Sequence, residues 1–210
     1  MKTLLFDFDG TIADSFEFVF GFLVNAGNGR TYSLEERQAF RYMSMPSIAR
    51  EVGVAAWRLP FLLYKGRRQM RKQLDSVRPF SDIPPLIREL NGQGYRMMIL
   101  SSNIEPTIRS FLLKHDLEEY FEDIYGEVGL FGKGPALRKL IAKHHLNAEE
   151  CVYIGDETRD VKASQSVNID CIAVTWGFAN PMRLRAAKPY AVVSTSRELR
   201  SEIAKTNAQP

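Results

Sequence analysis

Cysteine, histidine and long apolar runs are scarce in this chain. Two cysteines, Cys151 and Cys171, and three histidines occur among 210 residues. Two thiols make no disulfide framework, and each lies at the edge of an apolar, strand-like run, so packed thiols in a reducing compartment are expected. His115, His144 and His145 show no ligand spacing with cysteines or acids, which leaves them surface or helix-end roles. The longest apolar-rich stretch, FEFVFGFLVNAG (16–27), carries Glu17 and is too short to cross a bilayer. Only TLLF separates Lys2 from Asp7, too little for a signal peptide. A cytoplasmic location without a membrane partner is the expectation. Repeats and low-complexity tracts are absent, and no lysine occurs between Lys2 and Lys65.

The remaining composition is that of a globular chain, 45% hydrophobic and 25% charged, with a formal net charge of +3. Such a length supports one substantial core and one accessory domain. Charge is unevenly spread. Residues 15–78 hold 11 Lys plus Arg against 5 Asp plus Glu, a net of +6, so that the remainder carries −3. An insert of this kind either covers an anionic ligand or presents solvated helix faces. Its most basic run, KGRRQMRK (65–72), lacks the interleaved aromatics of a nucleic-acid surface and reads as a solvated face with modest steering of anions.

Short Val/Ile/Leu-rich runs alternate with segments of helical period. TLLFDF (3–8), YRMMILSS (95–102), the weaker FEDIYG (121–126), CVYIGD (151–156) and CIAVTW (171–176) read as strands. PPLIRELNGQG (84–94), PTIRSFLLKHDL (106–117) and GPALRKLIAKHHL (134–146) read as helices that open near proline or glycine. The alternation predicts an α/β fold, a Rossmann-like parallel sheet covered on both faces. From Phe16 to Arg78 the rhythm changes to helical stretches alone (16–25, 33–43, 47–53 and the basic run). The expected organisation is therefore a core of residues 1–15 and 79–210 with an inserted α-helical cap of residues 16–78. The phenylalanines at 16, 18, 20 and 22 read as a cap helix packed on its neighbours, a substrate-facing role for one of them remaining open. The KTNAQP tail is expected to fray.

Ligands of parallel sheets bind at the carboxyl ends of the strands. There the sequence assembles Asp7 and Asp9, then Ser101, Ser102 and Asn103, then Asp156, with Lys133 of the FGKG loop in reach. Asp-Gly is also an ordinary turn pair, so each signal alone is weak. Together they make one chemistry. A carboxylate is ionised at neutral pH and needs no base to act as a nucleophile, so Asp7 can attack phosphorus. Hard oxygens from Asp7 and Asp156 suit Mg²⁺. Lys133 adds fixed positive charge, and a serine hydroxyl with backbone N–H groups can hold the phosphoryl oxygens. Asp9, two positions on, can give a proton to the leaving alcohol and later take one from water. Gly10 allows the turn that follows and Thr11 can tie it down.

These residues carry a resemblance. DFDGT (7–11), ILSSN (99–103), FGKG (131–134) and GDETRD (155–160) are similar, in order and spacing, to the four motifs of the haloacid dehalogenase-like hydrolases. The likeness runs through to VTWGF (174–178), and the helical insert resembles the phosphoglycolate phosphatase-like branch. The resemblance implies Asp7 as nucleophile, Asp9 as acid/base, and Mg²⁺ held by Asp7, the backbone carbonyl of Asp9 and Asp156. It further implies a phosphate-binding serine, Lys133 as charge stabiliser, and Asp160 either orienting Lys133 or reaching the metal through water. Strand length favours Ser101 as that serine and Ser-Asn pairing favours Ser102; Ser101 is taken. The implied reaction is hydrolysis of a small phosphorylated metabolite, phosphoglycolate-like, through an aspartyl-phosphate.

Other readings fit less well. Dehalogenation of carbon goes with Asp-x-Tyr at the first motif, and Asp9 stands there. Phosphonate cleavage needs a cap lysine placed where this chain has none. A sugar phosphomutase shares the core chemistry and stays open as an alternative. A receiver-like signalling module would not have the cap or GDETRD. GLFGKG is not a nucleotide-binding loop, since Glu127 stands where the first glycine belongs and no Ser or Thr follows Lys133. Glu157 reads equally as a helper at the metal or as a solvent-facing acid.

Overall fold

Each apolar run is too short for anything but a buried strand, and each following helix brings the chain back across the sheet. A computed structural model describes residues 2–41, 43–129 and 132–207. The chain begins with β1 (Thr3–Phe6) and a two-residue strand, β2 (Ala13–Asp14). The insert follows as α1 (Phe16–Ala26), α2 (Leu34–Phe40), α3 (Met45–Glu51) and α4 (Leu59–Met70), closed by β3 (Arg78–Pro79). The alternating part then runs α5 (Ile83–Gly92), β4 (Arg96–Leu100), α6 (Glu105–Lys114), β5 (Asp123–Tyr125), α7 (Lys133–Lys143), β6 (Cys151–Gly155) and α8 (Thr158–Gln165). It ends with β7 (Asp170–Val174), α9 (Pro181–Ala186), β8 (Ala191–Val193) and α10 (Ser196–Asn207).

Six strands form a parallel sheet in the order β5-β4-β1-β6-β7-β8. From β1 the chain builds first to one side, through β4 and β5, then to the other, through β6. This reversal beside β1 leaves a crevice at its carboxyl end, where ligands of such sheets bind. Register aims the neighbours at the same place: Phe6 pairs with Ile99 of β4 and with Ile154 of β6. One or two residues later these strands deliver Asp7, Ser101 and Asp156.

Alternation along the strands divides the core. Leu4, Phe6, Met97, Ile99, Val152 and Ile154 face Leu86, Ile108, Phe111 and Leu199 of α5, α6 and α10. Leu5, Met98, Leu100 and Tyr153 face Leu137, Val161 and Leu184 of α7, α8 and α9. Both faces are thus dry, as the near-continuous apolar strands require. Cys151 and Cys171 are buried, unpaired thiols.

The helices of the insert have a cluster of their own, including Phe16, Phe20, Leu23, Phe40, Ile48 and Leu62. Local chemistry starts them. The Ser33 hydroxyl accepts the Glu36 N–H at 3.2 Å and the Glu36 carboxylate accepts the Ser33 N–H at 2.7 Å, a capping box at the head of α2. Ser44 caps α3 ahead of Pro46. The basic run lies on α4 and on the 3₁₀ turns of Arg71–Ser76. Met70 and Val77, at the end of the insert, pack into the cluster beneath the sheet rather than with the other cap residues. The insert enters and leaves through β2 and β3, which pair antiparallel, Ala13 with Pro79 and Asp14 with Arg78.

Two expectations need correction. The first strand stops at Phe6, so Asp7 and Asp9 stand on a tight loop where the Phe8 carbonyl accepts N–H groups from Ile12 at 2.9 Å and Ala13 at 3.0 Å. The chain before the last three residues does not fray: Asn207 ends α10, accepts the Lys2 N–H at 3.1 Å and donates to the Tyr95 hydroxyl. Residues 208–210 lie outside the described ones.

Candidate active site

Asp7 follows β1 directly and donates its N–H to the Ile154 carbonyl at 2.8 Å, an extension of the sheet that holds its side chain at the crevice. Its Oδ1 accepts the Phe8 N–H at 2.8 Å. Its Oδ2 lies 2.7 Å from Nζ of Lys133, the first residue of α7. Lys133 is buried; it also donates to Asp160 Oδ1 at 2.5 Å and to the Tyr153 hydroxyl at 3.1 Å, and Tyr153 donates to the Leu100 carbonyl at 3.1 Å. Burial opposes the ammonium, but Asp160 and Asp7 outweigh it and hold its pKa above the ordinary value. Lys133 is a fixed cation with every donor engaged.

Asp156 follows β6 and is wholly buried. It accepts the Phe178 N–H at 2.7 Å and the Thr11 hydroxyl at 3.3 Å. The turn at Gly10 (φ +77°) brings the backbone so close that a Cβ there would meet Asp156 Oδ2 at 2.3 Å. Burial first, then the charges of Glu157, Asp7 and Asp160, push the Asp156 carboxyl well above the usual carboxylate range. Carboxylate oxygens of Asp7, Asp156 and Asp160 lie within 4.8 Å of one another, the metal-compatible cluster of His, Cys and acid side chains among the described residues. The donors are hard oxygens, and a cation among them would offset the burial and neighbouring charges that push Asp156 up. The residues present fit a divalent cation such as Mg²⁺.

Asp9 is turned elsewhere. Its Oδ2 accepts Nδ2 of Asn103 at 2.9 Å, while Oδ1 is buried without a partner. Burial keeps its carboxyl above the ordinary value, against the opposing pull of Arg67. Two carboxyls two residues apart thus have different surroundings, Asp7 beside an ammonium and Asp9 beside an amide. Asn103, expected on the phosphate, donates its amide to Asp9, and its Oδ1 accepts the Ile104 N–H at 2.8 Å. Ser101 Oγ accepts the Asn103 N–H at 3.1 Å. Ser102 Oγ accepts Nη1 of Arg159 at 3.0 Å, and Arg159 also pairs with Glu157. Both serines line the crevice.

The crevice opens into a cavity of about 440 Å³ between sheet and insert, with Asp7, Asp9, Ser101, Ser102 and Arg159 on its floor. Its roof shows how the phenylalanines divide. Phe16 and Phe20 stack on each other inside the cap (5.9 Å, 7°), whereas Phe18 and Phe22, on another face of α1, line the cavity. Sequence reasoning overlooked Arg67, Tyr153 and Arg159. Arg159 lies inside GDETRD and was legible as a charged motif position; Arg67 was hidden in a basic run whose Lys65, Arg68, Arg71 and Lys72 are exposed.

A parallel sheet whose edge gathers an acid cluster, a buried lysine and a serine beneath inserted helices defines a class, the Rossmann-like α/β proteins with a polar site at the carboxyl end of the sheet. The haloacid dehalogenase-like hydrolase family model matches residues 4–174, and the chain belongs to that family. It is 32% identical to a phosphoglycolate phosphatase of Synechococcus elongatus over 202 residues, 95% of each chain. Among solved structures it is similar to a predicted phosphatase from Clostridium acetobutylicum, with a TM-score of 0.79 at 21% identity, covering 97% of this chain and 98% of that one. It is also similar to a haloacid dehalogenase-like protein from Streptococcus pneumoniae, with a TM-score of 0.77 at 19% identity over 97% and 98%. The family match and the 32% identical relative make it a phosphoric monoester hydrolase.

Proposed function

We propose that this phosphatase hydrolyses a small phosphomonoester in two displacements, with Asp7 as the group that takes the phosphoryl. The observation that carries this reading is the 2.7 Å approach of Lys133 to the Asp7 carboxylate beside the Asp156 and Asp160 oxygens. Asp7, Asp156 and the Asp9 carbonyl would hold Mg²⁺, with Asp160 beside them; bound there, the ion would screen the charge of the phosphoryl group.

Asp7 attacks phosphorus as the carboxylate, its negative charge held in place by Lys133. Ser101, on the cavity floor, is placed for a phosphoryl oxygen. Asp9, whose protonated form burial favours, gives its proton to the departing alcohol, and the resulting carboxylate then takes a proton from the water that attacks the acyl phosphate. Asn103 holds that carboxyl in one rotamer throughout. The insert excludes bulk water, and the paired strands β2 and β3 are where a hinge would sit.

The relative from Synechococcus supports phosphoglycolate as the first substrate to try. We infer a partner that is a small phosphorylated metabolite, neither nucleic acid nor membrane, and a cytoplasmic setting consistent with two free buried thiols. No helix of the described residues is long and apolar enough to cross a membrane. Rapid acid quench during turnover, followed by peptide mapping, tests the mechanism: one phosphoryl group on Asp7 is expected. Turnover without any labelled enzyme, at rates where release is slower than attack, rejects the covalent route.

A further inference from the structure

Arg67 is the charged side chain that the inserted helices contribute to the cavity wall, among otherwise apolar or small residues such as Phe18, Phe22, Leu63 and Met70. Its helix fixes where it stands. Met70, one turn further along α4, puts Sδ 3.5 Å from Nδ2 of Asn103, the same nitrogen that donates to Asp9 at 2.9 Å. Gly66, just before it, lies so near Phe22 that an added Cβ would come within 3.1 Å of the ring. The helix face bearing Arg67 is therefore turned to the Asp9 side of the cavity.

That is the side from which the leaving alcohol departs. The phosphoryl group belongs on the Asp7 side, which already has Lys133 and, through Ser102, Arg159. Among the described residues the Arg67 guanidinium makes no hydrogen bond and no ion pair; at longer range it faces the acids Asp9, Asp7 and Glu157 and the like charge of Arg159. A guanidinium among apolar walls without a close counter-charge is costly, and an anion arriving with the substrate removes that cost. Its planar fork matches a carboxylate with two parallel hydrogen bonds, which a lysine cannot reproduce.

Resting on the phosphatase reading above, we propose that Arg67 recognises a carboxylate carried by the alcohol part of the substrate close to the ester oxygen. The preferred substrates are then short phosphooxy acids, and Arg67 selects them against neutral alkyl phosphates of equal size.

Phosphoglycolate and ethyl phosphate isolate this contact, since one has a carboxylate where the other has a methyl group. Steady-state kinetics of both would be measured on the wild-type enzyme, Arg67→Gln and Arg67→Lys, with circular dichroism as a check of folding. The wild type is expected to prefer phosphoglycolate. Arg67→Gln should lose about 10- to 100-fold in kcat/KM for phosphoglycolate, chiefly through KM, and several-fold less for ethyl phosphate, which shares only the effect of the Arg67 charge on Asp9. Arg67→Lys should fall between. Equal losses on both compounds, unchanged phosphoglycolate kinetics, or a wild type indifferent to the carboxylate each overturn the proposal while leaving the phosphatase intact. A wild type that hydrolyses other phosphomonoesters but neither of these also overturns it. If no phosphomonoester in a panel is hydrolysed, the phosphatase reading falls, and the role of Arg67 with it.

Discussion

Lys133 Nζ lies 2.7 Å from Asp7 Oδ2, with both side chains buried at the carboxyl edge of the sheet. A contact so far from solvent makes the lysine serve stability and chemistry together, because removing it strands two carboxylates, Asp7 and Asp160, in a dry place. Lys133→Met should cost about 3–5 kcal/mol of stability in chelator, read by urea denaturation. Its kcat should drop at least about 100-fold, as for loss of a fixed charge at a developing anion. A stable, active Lys133→Met enzyme would show that the pair does neither.

Asp9 differs from Asp7 in its partners, so its substitution should have a different signature. Asp9→Asn removes the proton donor and leaves the nucleophile and the Asn103 contact region in place. Attack on esters of poorly leaving alcohols should slow by about 10²–10⁴-fold, with a smaller effect on an activated aryl phosphate. Equal slowing of both in a linear free-energy series would argue that Asp9 moves no proton.

The acid cluster predicts a metal requirement with a structural readout. Chelation should abolish turnover, and restored Mg²⁺ should return it. Because a ligand that binds only the folded state stabilises it, by about 2.7 kcal/mol at a hundredfold excess over Kd, Mg²⁺ should also raise Tm. Asp156→Asn should lose that rise. Scanning calorimetry with and without Mg²⁺ decides it, and an equal Tm rise in the variant would place the ion elsewhere.

Gly10 holds a backbone conformation that L side chains rarely adopt, with the Asp156 carboxylate where its Cβ would be. Gly10→Ala should therefore cost roughly 1–2 kcal/mol for the left-handed backbone alone, and displace Asp156 besides. Activity should fall with an increased Mg²⁺ requirement. Wild-type Mg²⁺ dependence in this variant would mean that the loop yields without disturbing the acid.

Some features were legible because they are local. Helices α1 to α7 and strands β1, β4, β5, β6 and β7 follow from runs whose period or β-branching is plain in a few residues, whereas β2 and β3, two residues each, leave no such signal. The last part of the chain was not: β8 is three residues long, and α8, α9 and α10 carry many polar residues, so their helical form depends on packing against the sheet. Asp7 and Asp9 were found, though on a loop rather than a strand, because a two-residue spacing puts side chains on one side in an extended strand and says nothing once the chain turns at Phe8. Asn103 was recognised as a site residue, but its partner, Asp9, is 94 positions away. Arg67 sits among four exposed basic residues, and only the rotation of α4 separates it from them.

The order of acids, serines, lysine and glycines along the chain was enough to bring out the likeness to the family and to narrow the chemistry to phosphoryl transfer, with hydrolysis and a phosphomutase both open. Which oxygen meets which nitrogen was decided by the tertiary structure. The register of β4 and β6 against β1 sets the acids within reach of one another, Tyr153 and Asp160 settle the lysine, and the seating of α4 on Phe22 and Asn103 turns one arginine inward. Those choices rest on packing between elements distant in sequence, and close packing admits very few arrangements.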